Sequence, residues 1–430
     1  MEFLPNLIFA ILLFTGIGFF ARNISKLKRN IDLGKDVDTS DQTKIRWKNM
    51  ARIALGQSKM VRRPIAGILH IVVYVGFVVI NIEVLEIIID GLFGTHRIFS
   101  GIGSLYGVLI GTFEILAALV FVAVIIFWFR RNVVKIQRFM KSEMKGWPKL
   151  DGNLILYFEI VLMGLFIIMN ATDVEFQSTN SGNIISQFFA PMFEGYNVHL
   201  IERVAWWMHI VGILVFLNYL YYSKHLHILL AFPNTYYGSV KPKGYFNNLE
   251  AVTNEVKLMM DPNIDPFATT EEDASIPDKF GASDVQDLNW VQLLNAYTCT
   301  ECGRCTSECP ANQTGKKLSP RKIMMDTRDR LVEVGNNIDT NKGVFVPDGK
   351  QLLGDYITNE ELWACTSCNA CVEACPISID PLSIILEMRR YLVMEQSAAP
   401  MELNTMMSNI ENNGAPWPYN QMDRLNWKNE

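Results

Sequence analysis

The sequence has no cysteine outside two short motifs, no adjacent pair of cysteines, and only six histidines among its 430 residues. It also lacks the glycine-rich fingerprint that opens a strand–helix unit for binding dinucleotides. No group of residues has the pattern of an enzyme nucleophile. The formal net charge of −5 gives no reason to expect a nucleic-acid partner. We therefore expect a chain that does not itself transform an organic substrate.

Long apolar runs are absent after residue 232, although hydrophobic residues make up 50% of the whole chain. Before that point there are five apolar stretches, each long enough to supply the roughly 20 helical residues that cross a bilayer. The first stretch has no basic start and no small-residue cleavage site, so we expect a retained helix. The predicted spans lie near 3–21, 64–90, 105–129, 152–172 and 203–224.

Lysine and arginine are nearly absent from two of the four loops between these spans, whereas the loops at 22–63 and 130–151 are strongly basic. Because basic loops stay on the cytoplasmic side, the N-terminus is expected outside. The chain after Tyr222 is then expected in the cytoplasm, beneath a bacterial inner membrane that the protein crosses several times. Buried helices of a soluble protein are the alternative, and the regular alternation of the loops argues against it.

All eight cysteines fall in two copies of one spacing, Cys299-x-x-Cys302-x-x-Cys305-x-x-x-Cys309-Pro310 and Cys365-x-x-Cys368-x-x-Cys371-x-x-x-Cys375-Pro376. This spacing is typical of domains that hold two [4Fe–4S] clusters, in which the fourth cysteine of each run binds the other cluster. Structural zinc sites use two short pairs of ligands and need no third cysteine, and disulfides are disfavoured in the cytoplasm. The expected ligand sets are Cys299, Cys302, Cys305 and Cys375 for one cluster, and Cys365, Cys368, Cys371 and Cys309 for the other.

Two histidines lie deep in predicted spans, where an ionisable side chain is costly and usually functional. These are His70 in the second span and His209 in the fifth, and His225 and His227 follow at the inner end of the fifth. Imidazole is a standard axial ligand of haem iron. On one continuous helix, His209 and His227 would share a face, because 18 residues make five full turns.

His225 points away from that face unless the helix bends or ends near Ser223, in which case His225 could replace His227 as a ligand. Anchoring at the lipid headgroups is the structural alternative for both residues. The second span has a single histidine, so we expect one haem b and leave a second open. Met60 is a weak candidate ligand, because it lies among basic residues.

Four glutamates also lie in predicted spans, namely Glu83, Glu86, Glu114 and Glu159. Each could pair with a polar neighbour for structural reasons, or exchange protons with a quinol. The sequence does not separate these two roles.

Residues 1–230 resemble the gamma-subunit family of respiratory nitrate reductase, a membrane cytochrome b that exchanges electrons with quinone. The resemblance rests on five spans, an outside N-terminus, and His70, His209 and His227. This chain departs from that family in having one histidine on the second span instead of two. Residues 290–395 are similar to the iron–sulfur C subunit of heterodisulfide reductases, on the two cysteine motifs.

Together the two halves resemble the front part of membrane-bound heterodisulfide-reductase-like oxidoreductases, which include haem-containing electron-transfer-flavoprotein:quinone oxidoreductases. In such proteins a domain with Cys-Cys-Gly motifs follows the two-cluster domain, in the same chain or in a partner. Because this chain has no spare cysteine, the resemblance implies that this domain is a separate cytoplasmic subunit. It further implies electron-transfer flavoprotein as a partner, and menaquinone or ubiquinone as the lipid-soluble carrier.

The expected fold is an all-α membrane bundle of five transmembrane helices, followed by a mainly α-helical, ferredoxin-like dicluster domain. The predicted segments are a cytochrome b domain at 1–232, a cytoplasmic connector at 233–289, a cluster domain at 290–395 and a C-terminal arm at 396–430. Within them we expect an extended connector, an irregular arm, a helix over 321–334, a loop over 336–354, and an amphipathic helix on the outer leaflet at 182–195.

The expected function is electron transfer between a cytoplasmic flavin or iron–sulfur partner and the quinone pool, through two [4Fe–4S] clusters and b-type haem. One alternative is a redox sensor or scaffold in the membrane without quinone chemistry. Another is the quinol-oxidising subunit of a heterodisulfide or sulfur reductase complex.

Overall fold

The computed structural model describes residues 3–179, 181–262 and 279–429, which form helices joined by turns and two isolated β-bridges. Residues 263–278 of the predicted connector lie outside the described residues. The helices of the N-terminal half are α1 (Leu4–Ile31), α2 (Thr43–Met50), α3 (Pro64–Phe93), α4 (Ser104–Asn132), α5 (Trp147–Thr172), α6 (Val174–Ser178), α7 (Val198–Tyr219) and α8 (His227–Tyr237).

Helices α1, α3, α4, α5 and α7 are long and apolar enough to cross a membrane, which confirms the five predicted spans. Proline in the first turn begins α1, α3 and α5, at a position where its missing N–H costs nothing. Large apolar side chains such as Leu7, Ile11 and Phe14 point outward, whereas Glu114 and Asn170 are buried inside the bundle. This inverted arrangement suits a lipid environment and not water.

The five long helices close a ring. Helix α1 packs against α3 and α7, α3 against α4, α4 against α5, and α5 against α7. The centre of the ring is filled by apolar side chains from every helix, including Phe9, Ile80, Phe113, Phe166 and Ile210. Helices α3 and α7 therefore face one another across the bundle.

The C-terminal half is helical as predicted, with α9 (Glu250–Met260), α10 (Trp290–Thr298), α11 (Arg304–Glu308), α12 (Pro310–Gln313), α13 (Pro320–Thr340), α14 (Asn359–Trp363), α15 (Ala370–Ala374), α16 (Pro381–Met394) and α17 (Met401–Asn413). The predicted helix over 321–334 lies within α13. That helix continues into the predicted loop because Ile338 is buried, which adds an apolar contact to the last turn.

Three local predictions were wrong. Residues 182–195 form 3₁₀ turns at Ser186–Phe188 and Ala190–Phe193, and not an amphipathic helix. Pro191 and Gly195 prevent a continuous helix in this segment. The connector is not wholly extended, since α8 crosses residue 232 and packs against α2 and α10, and α9 follows. The C-terminal arm is not wholly irregular, since it contains α17.

One hydrophobic core joins the inner end of the bundle to the cluster domain. It combines Leu27 of α1 and Leu226 beside α8 with Leu293 of α10 and Val334 of α13. The two halves therefore fold against each other, and the chain between them is not a loose tether.

Buried charges lie in the same contact. Lys224 follows the end of α7 and forms an ion pair with Glu301, whose other carboxylate oxygen lies 2.8 Å from Arg328. The side chains of Lys224 and Glu301 are only 9% and 2% exposed. Since Glu301 lies inside the first cysteine motif, this triad fixes that motif on the inner end of the membrane bundle.

Glu301→Gln is expected to lower the midpoint of thermal denaturation, because it leaves Lys224 and Arg328 buried beside a neutral amide. Removing one partner of a buried ion pair costs about 3–5 kcal/mol, and the cost here should be smaller, because Lys224 keeps Asp151 at 3.7 Å and Arg328 keeps Asp329 at 3.0 Å. The matched control is Glu308→Gln, since Glu308 pairs with Arg63 at the surface, where an ion pair contributes about 0–1 kcal/mol. Denaturation followed by cluster absorbance in detergent measures both variants, and equal midpoints would contradict the role of Glu301.

The triad also predicts a pH dependence. Burial raises the pKa of Glu301, but Lys224 and Arg328 outweigh it and hold the pKa below its ordinary value. A group whose pKa is lowered by folding stabilises the folded state above its unfolded pKa, and loses that contribution as pH falls through the folded pKa. The contribution should be complete at neutral pH and disappear below about pH 4. Midpoints of the wild type and of Glu301→Gln should converge in acid, and a constant difference would contradict this.

Candidate metal centres

The first cysteine motif is shaped by a helix end, a sharp turn and a second short helix. Helix α10 ends at Thr298, and Cys299 follows in an extended conformation. Glu301 and Gly303 then take positive φ angles of 54° and 69°, which turn the chain into α11. Glycine suits position 303, because φ is positive there and a Cβ would lie 2.5 Å from Nη1 of Arg321, which donates to the carbonyl oxygen of Arg138.

The second motif repeats this path with different residues. Ser367 and Asn369 take positive φ angles of 55° and 60° at the corresponding positions, and α15 begins directly afterwards. Asparagine tolerates the left-handed region better than most residues. The two motifs therefore present their first three cysteines from equivalent turns.

The structure brings Cys309 of the first motif to the second motif. A cavity is lined by Cys309 together with Cys365, Cys368 and Cys371, and it is closed by apolar side chains that include Leu318 and Ile385. This is the set that the crossover rule predicted, so the donors present suit one [4Fe–4S] cluster.

The other four thiols also influence one another. Burial, followed by the negative charges of neighbours that include Cys302 and Cys375, raises the pKa of Cys299 to about 12. Burial and then Cys302 raise the pKa of Cys375 to about 11. A bound metal would deprotonate such thiols. Cys375 thus lies with the first motif, as the crossover predicts.

All eight cysteines are free thiols and not the disulfides of the alternative interpretation. Within the described ranges, no three His, Cys, Asp or Glu side chains are arranged to hold a single metal ion. A zinc ion keeps its ligands within about 2.0–2.3 Å, whereas a four-iron cluster spreads its cysteines more widely. The assignment of individual cysteines to clusters stays a prediction.

Cations surround the first set of thiols. Arg138 and Arg304 lie near Cys302, and Lys59 lies near Cys375. Burial lowers the pKa of each of these three cations, to about 10 for Arg138, and the nearby thiolates oppose that effect. Arg389 lies near Cys365 of the second set, and its Nε donates a hydrogen bond of 3.0 Å to the carbonyl oxygen of Leu362. Net charge around a cluster tunes its reduction potential.

Two predicted haem ligands face one another in the bundle. The ring centres of His70 on α3 and His227 at the start of α8 are 6.4 Å apart. Two imidazoles on opposite sides of one metal, with bonds of about 2 Å each, place their ring centres roughly 6 Å apart. Nδ1 of His227 lies 3.1 Å from the carbonyl oxygen of Lys224, which leaves Nε2 as the ligand nitrogen. Nδ1 of His70 is buried without a hydrogen-bond partner. These residues fit a haem iron.

His209 is buried on α7, and its Nδ1 lies 3.0 Å from the carbonyl oxygen of Leu162. That contact again leaves Nε2 as the ligand nitrogen. The prediction that His209 and His227 share one continuous helix was wrong, because a 3₁₀ turn follows α7 and Ser223 is extended. The break turns His227 toward His70.

His225 has different partners. Its ring contacts Phe216, and its Nε2 lies 3.6 Å from a carboxylate oxygen of Glu159. The rings of His225 and His227 are 5.3 Å apart and nearly perpendicular. Of the two, His227 is the one in ring contact with His70.

Sequence patterns did not indicate the contacts between the first cysteine motif and the start of α3. Arg304 donates to the carbonyl oxygens of Lys59 and Met60 at 3.2 and 3.3 Å, and to the sulfur of Met60 at 2.8 Å. Met60 therefore faces the cysteine motif, and its sulfur is already engaged. His70 lies six residues after the start of α3, about 9 Å along the helix. The first cysteine motif thus contacts the segment just before α3, on the inner side of His70.

Comparison with known proteins supports the interpretation of the two cysteine motifs as an iron–sulfur domain. Residues 298–379 match the 4Fe-4S dicluster domain. The chain is 28% identical over 418 residues to the probable iron-sulfur-binding oxidoreductase FadF of Bacillus subtilis, covering 89% of this chain and 54% of the relative. It is 26% identical to the EtfAB:quinone oxidoreductase of Syntrophomonas wolfei, covering 88% of this chain and 53% of that protein.

A shorter similarity covers the clusters alone. The C subunit of the ferredoxin/F420H2-dependent CoB-CoM heterodisulfide reductase of Methanosarcina acetivorans is 34% identical over 108 residues, which are 25% of this chain and 52% of that protein. The chain thus spans about half the length of FadF and of the EtfAB:quinone oxidoreductase. No solved structure matches it. Similarity and fold together indicate an iron–sulfur electron-transfer protein with membrane helices.

Cys309→Ser is expected to disturb the cluster of the second motif, and Cys375→Ser that of the first, because each fourth cysteine crosses over. EPR of the reduced protein, before and after each substitution, identifies which signal is lost. Cys365→Ser and Cys302→Ser are the matched controls within the two sets. Loss of the same signal in Cys309→Ser and Cys302→Ser would contradict the crossover.

Proposed function

We propose that the chain is a membrane-anchored electron-transfer subunit that connects a cytoplasmic flavin or iron–sulfur partner with the quinone pool. The observation that carries the proposal is the facing pair His70 and His227, with the first cysteine motif in contact with the segment that precedes the helix of His70. Bound clusters and haem b would supply one-electron chemistry. The protein's part is to hold their ligands close together across the contact between the two halves.

The proposed direction is from the second thiol set to the first and then into the membrane. Cys368 is exposed, so the second set is the one that a soluble partner can approach. The three cations around the first set favour the extra negative charge of reduction there. The residues thus favour entry of electrons at the second motif.

The proposed partners are a cytoplasmic subunit with Cys-Cys-Gly motifs and electron-transfer flavoprotein. Support comes from the relatives named for heterodisulfide reductase and for EtfAB:quinone oxidoreductase. The proposed carrier is menaquinone or ubiquinone. The proposed location is a bacterial inner membrane, with the N-terminus outside and the cluster domain in the cytoplasm, because the cluster domain rests on the basic loops.

A second candidate is the quinol-oxidising subunit of a heterodisulfide or sulfur reductase complex, in which electrons flow the other way. The 34% identity to the C subunit of a heterodisulfide reductase favours it. Mass spectrometry of the intact detergent-solubilised complex separates the two, since it identifies the copurifying proteins.

His70→Ala and His227→Ala are each expected to remove the haem that their side chains would hold, while both cluster signals remain. His199→Ala is the control, because His199 is exposed on the first turn of α7. The haem content of the purified protein, from its absorbance after denaturation in pyridine, measures the loss. His209→Ala tests for a second haem, which would appear as a separate loss.

Full haem content in both His70→Ala and His227→Ala would contradict the paired ligation. A wild type with intact clusters and no haem would favour the sensor or scaffold alternative. His225→Ala should keep its haem, because His225 lies beside Glu159 and the ring that faces His70 is that of His227.

A further inference from the structure

A second cavity opens at the outer end of the bundle, between α1, α3 and α7. It has a volume of about 160 Å³ and is open to solvent. Its walls include the aromatic rings of Phe9, Trp206 and Trp207, and the carboxyl group of Glu83. The cavity therefore combines aromatic walls with several charged side chains, which include Asp90, Arg97 and Glu202.

The structure separates the four glutamates that the sequence left equivalent. Glu114 accepts hydrogen bonds from Asn170 and from the backbone N–H groups of Ile185 and Ser186, so its role is structural. Glu86 accepts from the backbone of Phe99 and from the hydroxyl of Tyr106. Glu159 lies beside His225 at the inner end.

Glu83 differs from these three. It is 2% exposed, and its Oε2 atom is buried without a hydrogen-bond partner. An unpartnered carboxylate at such depth is costly, whereas a protonated carboxyl group that donates to a ligand is not. Glu83 is thus the glutamate available to a molecule in the cavity.

The other charges of the cavity already have partners, which argues against a metal cation as the ligand. Asp90 accepts hydrogen bonds from Thr95 and from backbone N–H groups, and Glu202 forms an ion pair with Arg203. Nε of Arg97 lies 2.8 Å from a carboxylate oxygen of Asp173. A flat ring with hydrogen-bond acceptors at its edge suits aromatic walls and a protonated carboxyl group better than a cation does.

We propose that this cavity binds the head group of the quinone, with Glu83 donating a hydrogen bond to one carbonyl oxygen. This inference rests on the proposed function. Reduction adds two electrons, delivered one at a time from the reduced iron centres, and two protons, one to each carbonyl oxygen. Glu83 passes one proton to the quinone and regains a proton from the outer solution through the cavity mouth, from which the second proton also comes.

His209 supports this position for the quinone. It lies three residues after Trp206, one turn of α7 further into the bundle. A candidate metal ligand thus lies one helical turn inward from Trp206, which lines the cavity.

The test uses the full chain in detergent, with its clusters reduced by dithionite and the excess removed. Reoxidation is followed by absorbance with two electron acceptors, 2,3-dimethyl-1,4-naphthoquinone and ferricyanide. Ferricyanide serves as the control acceptor because it needs no quinone site. Glu83→Gln keeps the shape of the side chain but cannot pass on a proton. Its maximal reoxidation rate with the quinone should fall about 100-fold, and its rate with ferricyanide should not change. The control is Glu194→Gln, at an exposed residue of the outer loop, and should match the wild type.

The outcomes distinguish this inference from the function on which it rests. If the wild type reduces ferricyanide but not the quinone, the proposed function fails, and the site with it. If the wild type reduces the quinone and Glu83→Gln does so at the same rate over the same range of quinone concentrations, the function stands and the site is overturned.

A second measurement needs no variant. An azido derivative of the same naphthoquinone is activated by light on the wild type, and the labelled peptides are identified. Labels in residues 83–97 or 202–207 support the site. Labels near Glu159, at the inner end of the bundle, overturn it.

Discussion

The buried ion triad of Lys224, Glu301 and Arg328 is the constraint on which the arrangement depends. It joins the loop of the first cysteine motif to the residue beside His225, so the candidate metal ligands of the two halves are held together. The shared hydrophobic core holds the halves in contact, but apolar contact is non-directional and does not fix their relative position. The triad adds a directional contact, because separating the halves would part Glu301 from the buried ammonium group of Lys224.

The basic loops have two physical roles in this architecture. Their charge sets the expected orientation of the helices, and the same side chains dock the cluster domain. Lys59 donates to the carbonyl oxygen of Val372, Arg63 to Ser307, and Arg29 to the carbonyl oxygen of Gly335. Helix α1 contributes as well, since its 28 residues exceed what a bilayer needs and its last turns contact α10 and α13. Orientation and docking are therefore coupled in the same segments.

Features with a local or periodic signal could be predicted from the sequence. The five spans followed from apolar length, and the cluster domain followed from the spacing of its cysteines. Contacts between distant residues could not be predicted. Lys224 and Glu301 are 77 positions apart, and no local pattern in either segment indicates that they form an ion pair. The prediction that His209 and His227 share one face was wrong, because helical periodicity assumes a continuous helix and the helix is interrupted at Ser223. Glu83 could not be separated from Glu86, Glu114 and Glu159, because what distinguishes it is a missing partner, which only tertiary structure reveals.

In the proposed function, a haem held by His70 and His227 lies next to the cluster of the first motif. The most direct measurement is the spin relaxation of both reduced clusters in wild-type protein, with the haem iron oxidised and paramagnetic. Faster relaxation of the first cluster than of the second is predicted, because dipolar coupling falls steeply with distance. Equal relaxation of both clusters, unchanged from the relaxation in His70→Ala, would contradict the claim.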